Sequence, residues 1–407
     1  MRISTLTIFN QSVGSLNQQQ AKFNDVSQQI ASGRRVTSPS DDPQAAARAV
    51  GVSQSLAVTE QHTDSRVSAR NSLSQGESVL NSVSDAITSA KTLLVQASNG
   101  TLSDADRQSV ASELSGIYET LLGQANATDG NGTYLFGGYS DSSAPFVKGN
   151  GGEVEYVGDS EVRRQRIDAS RLMEVSDSGQ AIFQSVPGGA GHVAAAEAGN
   201  AGGVTFSGPQ VLDDEAVDAD QPYTITFTGD EASGFTYEVL NGDGDRVADG
   251  AYSPGEEGTR IAFEGLSMEL DGQPVDGDSI AVKPADQGNT DLFTTLENAI
   301  SVLESPAGTE AERAALGNTL STSMRELDNS LDNVLTVRAS MGARLNELDV
   351  VDGVSSNRTL NYEQTRSDLV DLDYAAAISE YSLRQVGLQA SQQTFANMKG
   401  MSLFQYL

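Results

Sequence analysis

The residues in this chain that could do chemistry are few and widely separated. Its two histidines, His62 and His192, lie in different parts of the chain. Neither has the partner four residues away that a helical metal site needs, so both are expected to be surface side chains. Cysteine is absent, which removes a disulfide framework, a thiolate zinc site and a thiol nucleophile together. Asn241-Gly242-Asp243-Gly244-Asp245 has the start of a calcium loop, but its sixth position is Arg246 instead of glycine and its twelfth is Tyr252 instead of glutamate. A hairpin turn is the expected reading. No phosphate-binding glycine loop or nucleophile elbow precedes a helix. Acidic pairs such as Asp213-Asp214 and Glu256-Glu257 fall in polar, turn-like stretches and read as solvated charge. No catalytic residue, cofactor or metal ligand is therefore assigned, and the chain is expected not to be an enzyme.

What remains is a question of surfaces. The chain carries a net charge of −31. That balance argues against nucleic acid, whose phosphates need clustered Lys and Arg, and against a polybasic membrane anchor. Between Asp129 and Asp286 lie 29 of the 56 acidic residues but only 8 of the 25 basic ones, so the middle of the chain is the strongly acidic part. Such a surface resists non-specific association. No apolar run is long enough to span a bilayer. The first residues are too polar for a cleaved signal peptide, so export is expected to proceed without one.

The elements that would carry those surfaces follow from periodicity. Leu6, Phe9, Val13, Leu16, Gln20, Phe23, Ser27 and Ile30 recur in alternating steps of three and four, a heptad stripe with two polar interruptions. Gly33 follows as a left-handed cap. Asp42-Pro43 reads as the N-cap and first position of a second helix, whose stripe continues through Leu73, Gly76, Leu80, Val83, Ile87, Ala90, Leu94 and Ala97. Ser103-Asp104 caps a third helix. After residue 290, Leu292 to Leu303 form a short helix, and Leu320 to Leu348 a long one with Arg338 inside its stripe. A last helix is expected from Leu369 to Met398, carrying Leu372, Ala376, Leu383, Val386 and Ala390, with Ile378, Tyr381, Leu388 and Phe395 on an adjacent stripe. A helix of about 40 residues would reach ~60 Å. Stripes that long must pair lengthwise.

The middle is different. It holds 27 of the 40 glycines and 7 of the 10 prolines, and its apolar residues alternate. Tyr223–Phe227, Phe235–Val239, Ile261 with Phe263, and Ser279–Val282 read as short antiparallel strands. Val154–Val157 and Val162–Ile167 read as a further pair. The fold class expected is α+β and multidomain: antiparallel long helices from both chain ends in a coiled-coil bundle, around a β-rich, sandwich-like insertion.

The outermost stretches, 1–31 and 365–407, offer one interrupted stripe each, a thin core against the entropy of ordering them. They are expected to complete their folding on assembly. Phe404, Tyr406 and Leu407 at the very end suggest docking against a partner.

Two blocks then match a known pattern. Ala31-Ser32-Gly33-Arg34-Arg35-Val36-Thr37-Ser38-Pro39-Ser40-Asp41-Asp42-Pro43 and Arg338-Ala339-Ser340-Met341-Gly342-Ala343-Arg344-Leu345-Asn346, followed by Asp371-Leu372-Asp373-Tyr374-Ala375, resemble segments of the bacterial flagellin superfamily. Asn131-Gly132-Thr133-Tyr134-Leu135-Phe136-Gly137-Gly138-Tyr139 and the ending Ser402-Leu403-Phe404-Gln405-Tyr406-Leu407 favour the branch that joins hook to filament over a filament subunit. The resemblance implies type III export, secretion to the extracellular flagellum, and self-association as a ring. It implies a neighbouring hook-associated protein, flagellin and an export chaperone as partners, with neither nucleic acid nor membrane insertion. Residues 1–40 and 360–407 would form a terminal assembly domain, 41–132 and 291–359 a helical-bundle domain, and 133–290 an inserted outer domain. The assembly interface would comprise Leu6, Phe9, Val13, Leu16, Phe23, Ile30, Leu383, Val386, Phe395, Phe404, Tyr406 and Leu407. A filament subunit is the near alternative; an adhesin or enzyme housed in the β insertion and a cytosolic coiled-coil scaffold are the distant ones.

Overall fold

The structure, a computed structural model, describes residues 5–400 apart from 150, 189–190, 198, 214 and 256–257. Its helices are α1 (Thr5–Ser32), α2 (Pro43–Ala97), α3 (Asp104–Ala125), α4 (Leu292–Glu304), α5 (Glu310–Val370) and α6 (Tyr374–Gly400). The chain divides into two compact units, Met1–Arg66 with Asp349–Leu407, and Val67–Leu348.

In the second unit the helical stripes form the core. Leu73, Leu80, Val83, Ile87, Ala90 and Leu94 of α2 have no accessible surface, and neither do Leu320, Leu327, Val334 and Leu348 of α5. Gly76 sits within the α2 stripe because Met341 of α5 fills its place: a Cβ there would stand 3.1 Å from the Met341 methyl carbon. Arg338 interrupts the α5 stripe for a different reason. Its guanidinium donates from Nε and Nη2 to Glu77 Oε1 of α2, at 3.2 and 2.8 Å. Ser103 caps α3 in a reciprocal arrangement with Asp106. Asp291 caps α4, accepting from the Phe293 and Thr294 amides at 2.7 and 3.3 Å. Tyr118 of α3 donates to Glu297 of α4 at 2.6 Å.

Four phenylalanines then fix the chain that leaves α3. Phe136, Phe146, Phe183 and Phe293 are buried, with ring centroids 5.5–6.0 Å apart along the cluster. Phe146 opens β1 (Phe146–Lys148), which pairs with β2 (Val154–Tyr156); β3 (Arg164–Asp168) pairs with β4 (Arg171–Glu174). The expected pairing of Val154–Val157 with Val162–Ile167 is therefore wrong. Each strand instead closes a shorter hairpin with a nearer neighbour, which costs less loop entropy.

Beyond these hairpins the chain builds a sandwich from β5 (His192–Ala196), β6 (Thr205–Phe206), β7 (Gln210–Val211), β8 (Tyr223–Asp230), β9 (Gly234–Asn241), β10 (Arg246–Tyr252), β11 (Thr259–Phe263), β12 (Leu266–Asp271) and β13 (Ser279–Pro284). One antiparallel sheet runs β10-β9-β8-β13-β5; the other runs β11-β12-β6, with β7 also on β12. Tyr223, Ile225 and Phe227 point inward from β8, as the period-two alternation predicts, and meet Ile261, Phe263, Met268 and Leu270 of the opposite sheet. Asn241 to Asp245 form the β9–β10 turn. The Asn241 side-chain oxygen accepts from the Asp243 and Asp245 amides at 3.2 and 2.9 Å, so a hairpin explains that motif.

One expectation for a histidine fails. His192 is buried on β5, and its Nε2 donates to the Gln221 carbonyl at 2.8 Å, a carbonyl being able only to accept. The small residues around it, Gly191 before and Val193 to Ala196 after, gave no sign of a position facing Tyr223, whose ring lies 5.6 Å away. Among the described residues no group of His, Cys, Asp or Glu could hold a metal ion, and no helix is long and apolar enough to cross a membrane.

Candidate assembly interface

The first unit is built on two chain ends that find each other. Gly33 ends α1 with φ +70°, and any Cβ there would meet the Tyr374 hydroxyl at 2.9 Å. Arg34 then forms a β-bridge with Asp371. The Arg35 amide donates to the Val370 carbonyl at 2.8 Å, and the Leu372 amide to the Gly33 carbonyl at 3.0 Å. The Arg35 guanidinium reaches the Leu369 carbonyl at 2.6 Å and Asp42 at 3.3 Å. Asp42 in turn accepts from the Ala45 amide at 3.0 Å and starts α2, as its place before Pro43 suggests. The matched segment Ala31 to Pro43 thus faces the matched segment Asp371 to Ala375 across the joint.

Asp41 holds the joint's turn. Its carboxylate accepts from the amides and hydroxyls of Thr37 and Ser38 at 2.8–3.0 Å. These bonds, led by the Ser38 amide, lower its pKa from 3.8 to about 2. A depressed carboxylate pKa means the folded turn is favoured above the unfolded value and loses that preference as pH falls through about 2. An NMR titration of the Asp41 carboxyl is expected to show a midpoint near 2, with the Thr37 and Ser38 amides shifting in step. A midpoint at the ordinary 3.8 would mean that the turn does not hold.

The helix boundary here differs from the sequence reading. A single helix, α5, runs to Val370, and α6 starts at Tyr374, not Leu369. The break comes from Asp373, whose side chain turns back to cap the Ala375 and Ala376 amides at 2.9 and 3.2 Å. Below the joint, Arg66 of α2 is 1% exposed and ion-paired with Asp352 of α5, and Arg66 Nη2 donates to the Thr63 hydroxyl at 2.9 Å.

From the joint, α1 and α6 run antiparallel. The Phe23 ring packs against Tyr381 at a tilt of 36° with centroids 4.9 Å apart, and Gln19 Oε1 lies 3.7 Å from the place of a Cβ on Gly387. On α6 the inward residues are Ala377, Tyr381, Arg384, Leu388, Ser391 and Phe395, a heptad series. On α1 they include Leu16, Gln19, Phe23, Val26 and Ile30. The expected α1 stripe is right in outline, but Val26 is buried and Gln20 exposed, because the seam uses Gln19 and Val26 where Gln20 and Ser27 were expected.

The α6 stripe is the larger correction. The stripe expected through Leu383 and Val386 is not the seam; these residues are 70% and 64% exposed, and Ile378 is 55% exposed. At about 100° per residue, Val386 lies roughly opposite the seam on α6. Leu383 and Ile378 flank it. α6 therefore has two apolar faces, one against α1 and one open. The outer face of α1 is polar, with exposed Asn17, Gln18, Gln20, Lys22, Asn24 and Gln28.

The expected interface residues therefore separate into groups. Val13, Leu16, Phe23, Ile30 and Phe395 are half-buried, and Phe23 meets Tyr381 across the intramolecular seam. Leu383 and Val386 are open. The side chains of Leu6 and Phe9, and all of Phe404, Tyr406 and Leu407, lie outside the described residues. Ile378 was placed in the sequence on the stripe beside this face and belongs to it by exposure.

Comparison with known proteins agrees with a structural part. Residues 3–141 match the family described as the bacterial flagellin N-terminal helical region. Flagellar hook-associated protein 3 of Escherichia coli strain K12 is 34% identical over 406 residues, covering 100% of this chain and 99% of the relative. The crystal structure of Xanthomonas campestris FlgL superposes with a TM-score of 0.70 at 30% identity, covering 78% of this chain and 99% of that one. The flagellar junction protein FlgL from Legionella pneumophila gives 0.69 at 26% identity, covering 80% and 100%. A polar flagellin from Vibrio parahaemolyticus is more distant, 23% identical over 96% of each chain.

Proposed function

We propose, from the premise that this chain belongs to the flagellar hook-associated protein 3 family, that it is the structural piece seated between hook and filament, assembling through its paired end helices. The observation that carries the mechanism is the open apolar face of α6, with Ile378, Leu383 and Val386 turned away from the α1 seam. A helix that has already buried one stripe against its own partner has no internal use for a second. Docking that stripe against a neighbouring copy would gain about 1.5–3 kcal/mol for each large side chain buried.

Copies joined laterally by a repeated contact close into a ring or continue as a helix, depending on the rotation between them. The assembly is a single turn of subunits, with a second hook-associated protein on one side and flagellin on the other. An export chaperone would cover the open face before assembly. Residues 1–40 with 360–407 would form the assembly domain and 133–290 the outer one. The acidic sandwich, with 19 acidic and 3 basic residues over 191–284, suits a surface held in water.

Electron microscopy of a strain lacking the gene tests the role. Hooks without filaments, and flagellin shed into the medium, are expected. Filaments still attached to those hooks would overturn it, and loss of the bulk filament protein itself would point to a filament subunit.

A further inference from the structure

A cleft of about 620 Å³ lies in the second unit, walled by α4, α5 and the β5–β13 edge of the five-stranded sheet. Of its three lining acids Glu197 is exposed, and the other two contrast with the cations. Asp278 accepts from the amides of Ala201, Gly202 and Val275 at 2.8–3.0 Å. Glu326 accepts from Asn289 and Thr295 at 2.9 and 2.8 Å. Both Asp278 oxygens and the Glu326 Oε2 are thus engaged. Arg325 and Lys283 also line the cleft, and among the described residues neither the ammonium nor the guanidinium has a hydrogen-bonded or ion-paired partner. The Arg325 Nε is buried without an acceptor.

This is unusual in a chain of net charge −31, where acids to pair with are plentiful. Lys283 is one of only three basic residues in the whole sandwich segment 191–284. Arg325 is half-buried, and a guanidinium nitrogen held out of water without an acceptor is costly; a protein keeps one where something arrives to pair with it. Burial lowers the Arg325 pKa, and the neighbouring Glu326 carboxylate offsets part of that.

The rest of the lining says what accompanies the anion. Asn298 on α4, Thr319 and Thr322 on α5, and Gln287 after β13 all border the cleft with side chains not engaged elsewhere in the protein. These are neutral amides and hydroxyls, which suit a ligand rich in hydroxyl groups. The volume falls within the usual range for small-molecule sites, about 300–1,000 Å³. We propose that this cleft binds a carboxylated sugar, its carboxylate on Arg325 and Lys283 and its hydroxyls on the amide and threonine side chains. The site is separate from the assembly face and does not depend on the assembly reading.

Calorimetric titration of the full chain with sodium glucuronate tests this, with glucose, acetate and inorganic phosphate as the comparison probes. Saturable glucuronate binding is expected, with each comparison probe weaker by about tenfold or more. Arg325→Gln should weaken glucuronate about tenfold or more, while Arg325→Lys keeps part of the affinity. Lys283 is exposed, so Lys283→Gln leaves the fold intact and should also weaken binding, by about threefold or more even if Arg325→Gln misfolds. Absence of glucuronate binding, equal binding of glucose or phosphate, or unchanged affinity in Lys283→Gln would each overturn the proposal.

Discussion

Replacing Leu383 and Val386 together by aspartate is expected to leave a folded, exportable protein that no longer attaches filaments. Both side chains are mostly exposed in the single chain, so each substitution should change its stability by no more than about 0.5 kcal/mol. Association is another matter. Each copy would lose the burial of two large apolar groups, about 1.5–3 kcal/mol apiece, and would have to desolvate two unpaired carboxylates. A loss of about 4 kcal/mol in one contact is already about a thousandfold in affinity, and the contact repeats at every subunit. Circular dichroism and thermal melting should therefore match the unaltered protein, while motility and filament attachment are lost. Normal motility would mean that the open face of α6 is not used. The double exchange Gln18→Asp with Gln28→Asp on the polar face of α1 is the matched control for added charge.

The second large effect concerns the joint between helices and insertion. Phe293→Ala should destabilise the second unit by about 3–5 kcal/mol. Phe293 has no accessible surface and its ring meets three others, Tyr118 at 6.0 Å, Phe146 at 5.5 Å and Phe183 at 6.0 Å. It is the point at which α3, α4, β1 and the turn around Phe183 share one core. Truncation would leave a cavity that four elements would have to shift to fill. Urea denaturation followed by the near-ultraviolet signal of the aromatic residues measures the loss. A change below about 1 kcal/mol would mean that the cluster is not a shared core.

Much of this architecture was legible in the chain before any coordinates. The α2 and α5 stripes are long, each interrupted only once, at Gly76 and at Arg338, and many of their residues are among the most deeply buried in the protein. The caps at Asp42 and Ser103 were readable because a short polar side chain before a helical run has one good place to bond. Strands with clean alternation, such as Tyr223 to Phe227, also declared their inner face. What failed was whatever depended on a choice between near-equal stripes. On α6, Leu383 and Val386 are as apolar as Leu388 and Phe395, and periodicity cannot say which pair meets α1 and which stays open. The strands at 154 and 164 had apolar partners on both sides in sequence, and only the phenylalanine cluster shows where Phe146 must go. Arg325 was invisible for a different reason. One basic residue beside the stripe of a long helix reads as solvated charge until a sheet is seen to close over it. The terminal residues Phe404, Tyr406 and Leu407 stay a proposal for the interface, outside the described residues.

Because the chain has no cysteine, the central claim can be tested by a single introduced thiol. Val386→Cys, at a position 64% exposed in the single chain, should react quickly with a maleimide in purified monomer. In intact flagella carrying the same variant, the account predicts that this thiol is protected until the assembly is dissociated. A thiol that reacts as fast in the intact flagellum as in the monomer would contradict it.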